Sequence, residues 1–312
     1  MNRTLIVAAI ATLVTGAAIA QSSVTIYGRL NVTAEAQDSG GIKTKQLVNN
    51  ASRLGFKGTE DLGGGLKAGI QLEHGFNVDT GAASSAFWGR QSEVNLSGGF
   101  GMVRLGNFFS EAYLATADYV SMHNHDTGPS SDAFYFGNFG RFGNKIAYRL
   151  PTFVKGMSLE GAVSAGEGVP GRKRAFDFAW NYAIGALQLG AGYEKNDTKK
   201  QLAVRALYEF GPVVLGGYVQ RDSNGYASGD RTTYRVAGAY NFGANELHLN
   251  VGSAGKYSKV ANSSAKQVTV AFNHNLSKRT KVYTYYTKVD DSAARVYGGD
   301  FSSIAVGVRH NF

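Results

Sequence analysis

Apolar and polar residues alternate with a period of two along most of this chain, the spacing of β-strands whose two faces meet different surroundings. In residues 24–35, Val24, Ile26, Leu30 and Val32 fall opposite Thr25, Tyr27, Arg29, Asn31 and Thr33. Residues 52–73 read as a hairpin. Leu54 and Phe56 oppose Arg53, Gly55 and Lys57 in its first arm, and Leu66, Ala68, Ile70 and Leu72 oppose Lys67, Gly69, Gln71 and Glu73 in its second. The DLGGG of residues 61–65 suits the turn between them, because glycine enters positive-φ conformations that other residues resist. The same alternation recurs in residues 176–182, 201–210, 234–242, 246–251 and 304–312. Helical spacing is scarce; residues 110–119 begin with a capping serine and suit one or two helical turns.

The connections sort into two kinds. Short ones are expected at residues 61–65, 98–101, 152–156, 183–186, 211–212, 243–245 and 276–280. Longer polar ones are expected at 37–51, 77–86, 108–143, 166–174, 195–199, 222–231, 256–264 and 290–303. Seven short turns alternating with eight longer loops join sixteen strands, an even number, so both termini lie on the short-turn side. The fold class is therefore all-β, a 16-stranded antiparallel transmembrane β-barrel. Closure has a physical cause, since an open sheet edge in hydrocarbon leaves unpaired backbone groups costing several kcal/mol each. Tyr182, Phe210 and Phe242 beside short turns suit an interfacial girdle. A secreted soluble β-sandwich also alternates, but its apolar faces share a core.

Composition supports a long sheet: 41 glycines, 17 tyrosines and 18 phenylalanines accompany only four prolines, which would each remove a ladder hydrogen bond. Arg3, the apolar run of residues 5–14 and Ala18-Ile19-Ala20 form a secretory signal peptide over residues 1–20, leaving residues 21–312 as a single barrel. Without cysteine there is no disulfide staple. Without Arg3, 31 basic and 23 acidic residues remain. Secretion, and the lack of a basic run, argue against nucleic acid as the partner of that excess.

Four stretches carry a resemblance: SRLGFKGTEDLGGGLKAGIQLE (52–73), RQSEVNLSGGFGMVRLG (90–106), LSKRT with the tyrosines that follow (276–286), and the terminal VGVRHNF (306–312). Together they resemble the general porins of Gram-negative bacteria, most closely the β-proteobacterial, Neisseria-like branch. The resemblance implies a homotrimer in the outer membrane, each monomer a water-filled channel for passive diffusion of small hydrophilic solutes and ions, with no cofactor. It also implies that the third long loop, residues 108–143, folds into the barrel and narrows it. Its acids Glu111, Asp118, Asp126 and Asp132 would face a basic wall of Arg53, Arg90 and Arg141, matched by motif. Periodicity independently places Arg53 off the lipid face. Arg90 shares parity with Val94 and Leu96, so either a bulge intervenes or that face meets another subunit. Many relatives continue the strand before this loop with Gly-Arg-Gln, where this chain has Gly106-Asn107-Phe108. Phe312, closing an alternating strand, matches the signal read by the outer-membrane assembly machinery.

Further basic residues of inward parity are Arg29, Lys57, Lys67, Arg104, Arg149, Arg205, Arg235 and Arg309, each expected to be solvated or salt-bridged in the lumen. Clustered arginines in a narrow aqueous passage with low-dielectric walls raise the local anion concentration, so mild anion preference is expected. Other chemistries are weakly marked. His123-Asn124-His125-Asp126 lacks further ligands at zinc spacing and is expected to be solvated. No metal site and no catalytic residues are expected; the chain has no Walker loop, GxSxG or HExxH. The alternatives are a channel selective for a particular anion or sugar and, more distantly, a barrel enzyme or surface-binding protein.

Overall fold

The computed structural model describes residues 23–120, 123, 134–135, 143–168, 173–226 and 228–312. Its strands are β1 (Ser23–Ser39), β2 (Ile42–Asn49), β3 (Arg53–Gly63), β4 (Leu66–Gly75), β5 (Gln91–Gly98) and β6 (Gly101–Asn107). They continue as β7 (Lys145–Arg149), β8 (Met157–Ser164), β9 (Ala175–Ile184), β10 (Leu187–Asn196), β11 (Lys199–Phe210) and β12 (Val213–Tyr226). The last are β13 (Gly229–Phe242), β14 (Asn245–Ala254), β15 (Ala265–Asn275), β16 (Thr280–Asp291) and β17 (Phe301–Asn311). Every neighbouring pair is antiparallel, and β1 pairs with β17, which closes the sheet.

Seventeen segments fill sixteen places. β1 pairs with β2 over Val32–Ser39 and with β3 over Ser23–Arg29, so β2 and β3 are one strand interrupted at residues 50–52. Ala51 has φ 53° there. The Ser52 hydroxyl substitutes for the lost ladder bond, accepting from Asn31 N at 2.9 Å. At the seam Gly28 and Phe312 exchange backbone hydrogen bonds of 3.0 and 3.2 Å. The Phe312 ring lies where any Gly28 side chain would be, its ring carbon 2.4 Å from an ideal Cβ.

The strands are inside-out relative to a soluble protein. Outward Ile70, Val94, Leu202, Val236, Leu249 and Val306 are exposed, while inward Glu73, Glu93, Arg205, Arg235, Asn250 and Ser303 are buried. Phe210 and Phe242 stand exposed at the short-turn rim beside Tyr208 and Tyr240.

Three expected long loops are instead mostly strand. Residues 37–51 are crossed by β1 and β2 joined at Gly40-Gly41, residues 195–199 by β10 and β11, and residues 222–231 by β12 and β13. Beyond the hydrocarbon a hairpin needs no greasy face, so the period-two signal disappears while the ladder continues. The expected signal peptide, residues 1–20, lies outside the described residues.

Candidate functional site

The segment after β6 is where the inner wall acquires a second layer. Ser110 caps a single helical turn, α1 (Glu111–Tyr113), accepting from Ala112 N at 3.1 Å, and a π-helical turn over Leu114–Asp118 follows. This run lies against inward residues of β9–β11. Gly192 and Gly190 make that approach possible, because an ideal Cβ at Gly192 would stand 2.5 Å from Ala112 O and one at Gly190 2.5 Å from Ala115 O. Farther along, Ala117 and Val120 pack on Tyr218 and Ala237, and Phe134 packs with Ala254, Ala265 and Val289. His123, expected to be solvated, is buried: its ring stacks on His248 of β14 at 5.3 Å and meets Tyr283 and Tyr285 of β16 edge-on. The described loop residues thus touch inner-wall residues from β9 round to β16.

Salt bridges and cation–π contacts hold this layer. Buried Arg104 pairs with Glu93 at 2.8 Å, Glu111 at 2.6 Å and Glu160 at 2.9 Å, and lies 4.2 Å over the Phe108 ring. Phe108 stands where the Gly-Arg-Gln pattern has its glutamine, and Lys145 covers it too, at 5.1 Å, while binding Asp177 at 3.0 Å. Arg149 reaches Glu111 at 3.1 Å and Glu160 at 2.7 Å. Arg205 donates to Ala115 O at 2.6 Å and stacks on Tyr119 at 3.5 Å. Arg231 pairs with Asp222 at 2.8 Å and also donates to Phe134 O, and Arg235 donates to Gln267 at 2.7 Å. On β6–β13 these inward cations, Arg104, Lys145, Arg149, Arg205, Arg231 and Arg235, are matched by Glu93, Glu111, Glu160, Asp177, Glu194 and Asp222. Among the described residues these cations and acids are equal in number, six of each.

On the facing arc the described cations and acids are unequal in number. Arg29 stands directly across from Arg53, a like-charged cross-strand pair that costs stability wherever nothing offsets it. Arg309 of β17 lies across from Lys281 of β16 and Asn31 of β1. Arg90 lies just before β5, and its Nε donates to Glu73 Oε1 at 2.6 Å. Its parity with Val94 therefore carries no meaning, because it turns inward before the strand begins. Gly75 makes room, since a Cβ there would sit 3.1 Å from Arg90 Cδ. Arg53 Nε is 3.7 Å from the same carboxylate oxygen, and Tyr27 donates to Glu73 Oε2 at 3.0 Å. Lys57 sits 5.5 Å over the Tyr27 ring. Among the described inward residues of this arc, Lys281, Arg309, Arg29, Arg53, Lys57 and Arg90 stand with Glu73, Glu246 and Glu35, six cations to three acids.

Three residues of this arc escaped the sequence reading. Glu73 had the parity signal, opposite Gly55 on the charged side of its hairpin; Tyr27 had inward parity; Lys281 sits in the LSKRT neighbourhood. Of the expected loop acids, Glu111 is bound by Arg104 and Arg149 and Asp118 is exposed. Arg141, Asp126 and Asp132 lie outside the described residues.

A family model described as Gram-negative porin matches residues 5–294. The chain belongs to the Gram-negative porins. Outer membrane porin protein 32 of Delftia acidovorans is 31% identical over 95% of this chain and 96% of its own length. The major outer membrane protein P.IB of Neisseria meningitidis serogroup B is 28% identical over 94% of this chain and 95% of its own. Among solved structures, an anion-selective porin from Comamonas acidovorans superposes with a TM-score of 0.81 at 28% identity, covering 94% of this chain and all of that one. This porin is accordingly an outer-membrane channel protein, and its inside-out barrel is the diffusion path.

Proposed function

We propose that this porin is a mildly anion-selective general diffusion channel whose selectivity resides on the arc from Lys281 to Arg90, with loop 108–143 as the opposite wall of a constriction. One observation carries the reading: among the described residues the inward charges beside the loop cancel, whereas those on the facing arc leave an excess of three positive charges. Arginine suits this work because it stays protonated and presents a planar donor fork to carboxylate or phosphate. The anion-selective Comamonas relative supports the same sign. Reversal potential of the purified protein in a planar bilayer across a KCl gradient tests it; clear cation selectivity would refute it.

Residues 1–20 act as the cleaved signal, and Phe312, whose ring closes the seam over Gly28, serves the assembly machinery. Self-association as a homotrimer draws support from an outward aromatic knob. Phe87, 61% exposed, stacks on His74 at 4.2 Å and meets Trp88 edge-on at 4.8 Å. Native electrophoresis of a Phe87→Ser variant tests that assignment, with loss of the oligomer expected. A channel specific for one solute would instead show saturable block of its current.

A further inference from the structure

Phe108 and Phe109 are consecutive at the root of the loop, yet their rings meet different cations. Phe108 is buried beneath Arg104 and Lys145. Phe109 is half-buried and carries Arg90, whose guanidinium carbon lies 5.6 Å over the ring centre. Arg90 belongs to the positive arc, so this contact ties the loop's root to it. The Phe109 ring is itself the end of a chain of rings. It lies 6.4 Å from Tyr113, which lies 5.2 Å from Tyr135, which lies 6.1 Å from Tyr218 of β12. Tyr218 is buried in the barrel wall, so the ring over Arg90 is braced from the far side of the barrel.

Two further contacts fix Arg90. Its Nε donates to Glu73 at 2.6 Å, and Asn107 Nδ2 donates to the carbonyl of Gly89, the residue before it, at 3.2 Å. Asn107 stands where the Gly-Arg-Gln pattern has its arginine, so this chain uses the position to hold the backbone beside Arg90 instead of adding a charge. The end of the fork stays open: among the described residues Nη1 and Nη2 of Arg90 donate to no acceptor, and the side chain is 21% exposed.

We infer that Phe109 is a specificity-determining residue of this channel, which makes Arg90 favour planar oxyanions over halides. The inference rests on the anion-channel reading above. A planar oxyanion such as formate or nitrate accepts two parallel N–H bonds from the end of the fork, and gains them only while the fork is held toward the passage. A halide is spherical and feels the charge from any direction, so the brace adds nothing for it. Holding the fork in advance removes the ordering cost from each encounter. Phe109 supplies that hold and, being neutral, leaves the charge of the arc as it is.

The test is the bi-ionic reversal potential of the whole protein in planar bilayers, with potassium formate or potassium nitrate facing potassium chloride and each ratio normalised to the bulk mobilities of the two ions. The wild type should pass both oxyanions in preference to chloride. Phe109→Leu keeps an apolar side chain and removes the ring face. Both oxyanion-to-chloride ratios should then fall about two- to fivefold, the factor that an exposed cation–π contact is worth. Phe109→Tyr keeps the ring face and should keep the wild-type ratios, which separates the ring's role from a disturbed loop. Equal falls in the tyrosine and leucine variants would overturn the inference. So would larger currents for all three anions at unchanged ratios, the mark of a ring that only narrows the passage, or a fall for formate without one for nitrate. Cation preference of the wild type in a KCl gradient would defeat the anion-channel reading and this inference with it. Anion preference there, with ratios indifferent to Phe109, would defeat this inference alone.

Discussion

Consider replacing Arg53 and Arg90 together with glutamine. In the native arc their two positive charges are answered by Glu73 alone, 2.6 Å from Arg90 and 3.7 Å from Arg53, so the trio carries one net positive charge. The double variant turns the trio net negative. A unit charge about 5 Å from a passing ion in water is worth ~0.8 kcal/mol, and 0.1 M salt lowers this to ~0.5 kcal/mol. Two charges therefore change the free energy of an anion by ~1 kcal/mol and that of a cation by the same amount in the opposite sense. The anion-to-cation ratio at the constriction should fall by about 30-fold. At 0.01 M salt screening is weaker, and the fall should approach about 100-fold. The assay is reversal potential in a KCl gradient at both ionic strengths. Glu73→Gln is the matched opposite: it removes the only carboxylate of the trio and should strengthen anion preference. Unchanged reversal potentials in the double variant, or shifts of the same sign in both variants, would refute an arc-based selectivity.

Three further outcomes follow from the loop. Gly192→Val forces a side chain against the backbone at Ala112, which cannot yield as a flexible side chain would; overpacking of this kind costs about 1–3 kcal/mol, and single-channel conductance should fall as the loop is pushed into the lumen. Arg104→Met strands Glu93 and leaves Glu111 and Glu160 to Arg149 alone, and losing one partner of a buried pair costs about 3–5 kcal/mol. Its expected signature is a noisy, flickering channel and a lower thermal midpoint, where an unchanged trace would contradict the anchoring role. Loss of surrounding water pushes the Tyr135 hydroxyl well above the ordinary phenol value, with Glu194 adding to the effect. A raised acid contributes stability that is present below its unfolded value near 10 and is lost as pH rises through the folded one. Current noise should therefore increase in strongly alkaline solution for the wild type, and Tyr135→Phe should remove that part of the increase.

Alternation along each strand was enough to determine the inside-out faces, because a residue's parity fixes which solvent it meets, and the alternation of short and long connections determined the sixteen strands. Parity also determined that Arg53 faces inward. Alternation failed wherever lipid no longer selects one face: the β1–β2 hairpin rises beyond the hydrocarbon with polar residues on both sides and so reads as loop. Parity also left Arg90 undecided, because it precedes its strand and turns inward over Gly75. Only the closed barrel decided which charges meet which. Arg104 and Arg235 have the same inward parity as Arg29 and Arg53, yet the first two are consumed holding or flanking the loop and the latter two confront each other across a strand pair. Charge pairing depends on neighbours brought together by closure and by the loop's path, distances that no local pattern encodes.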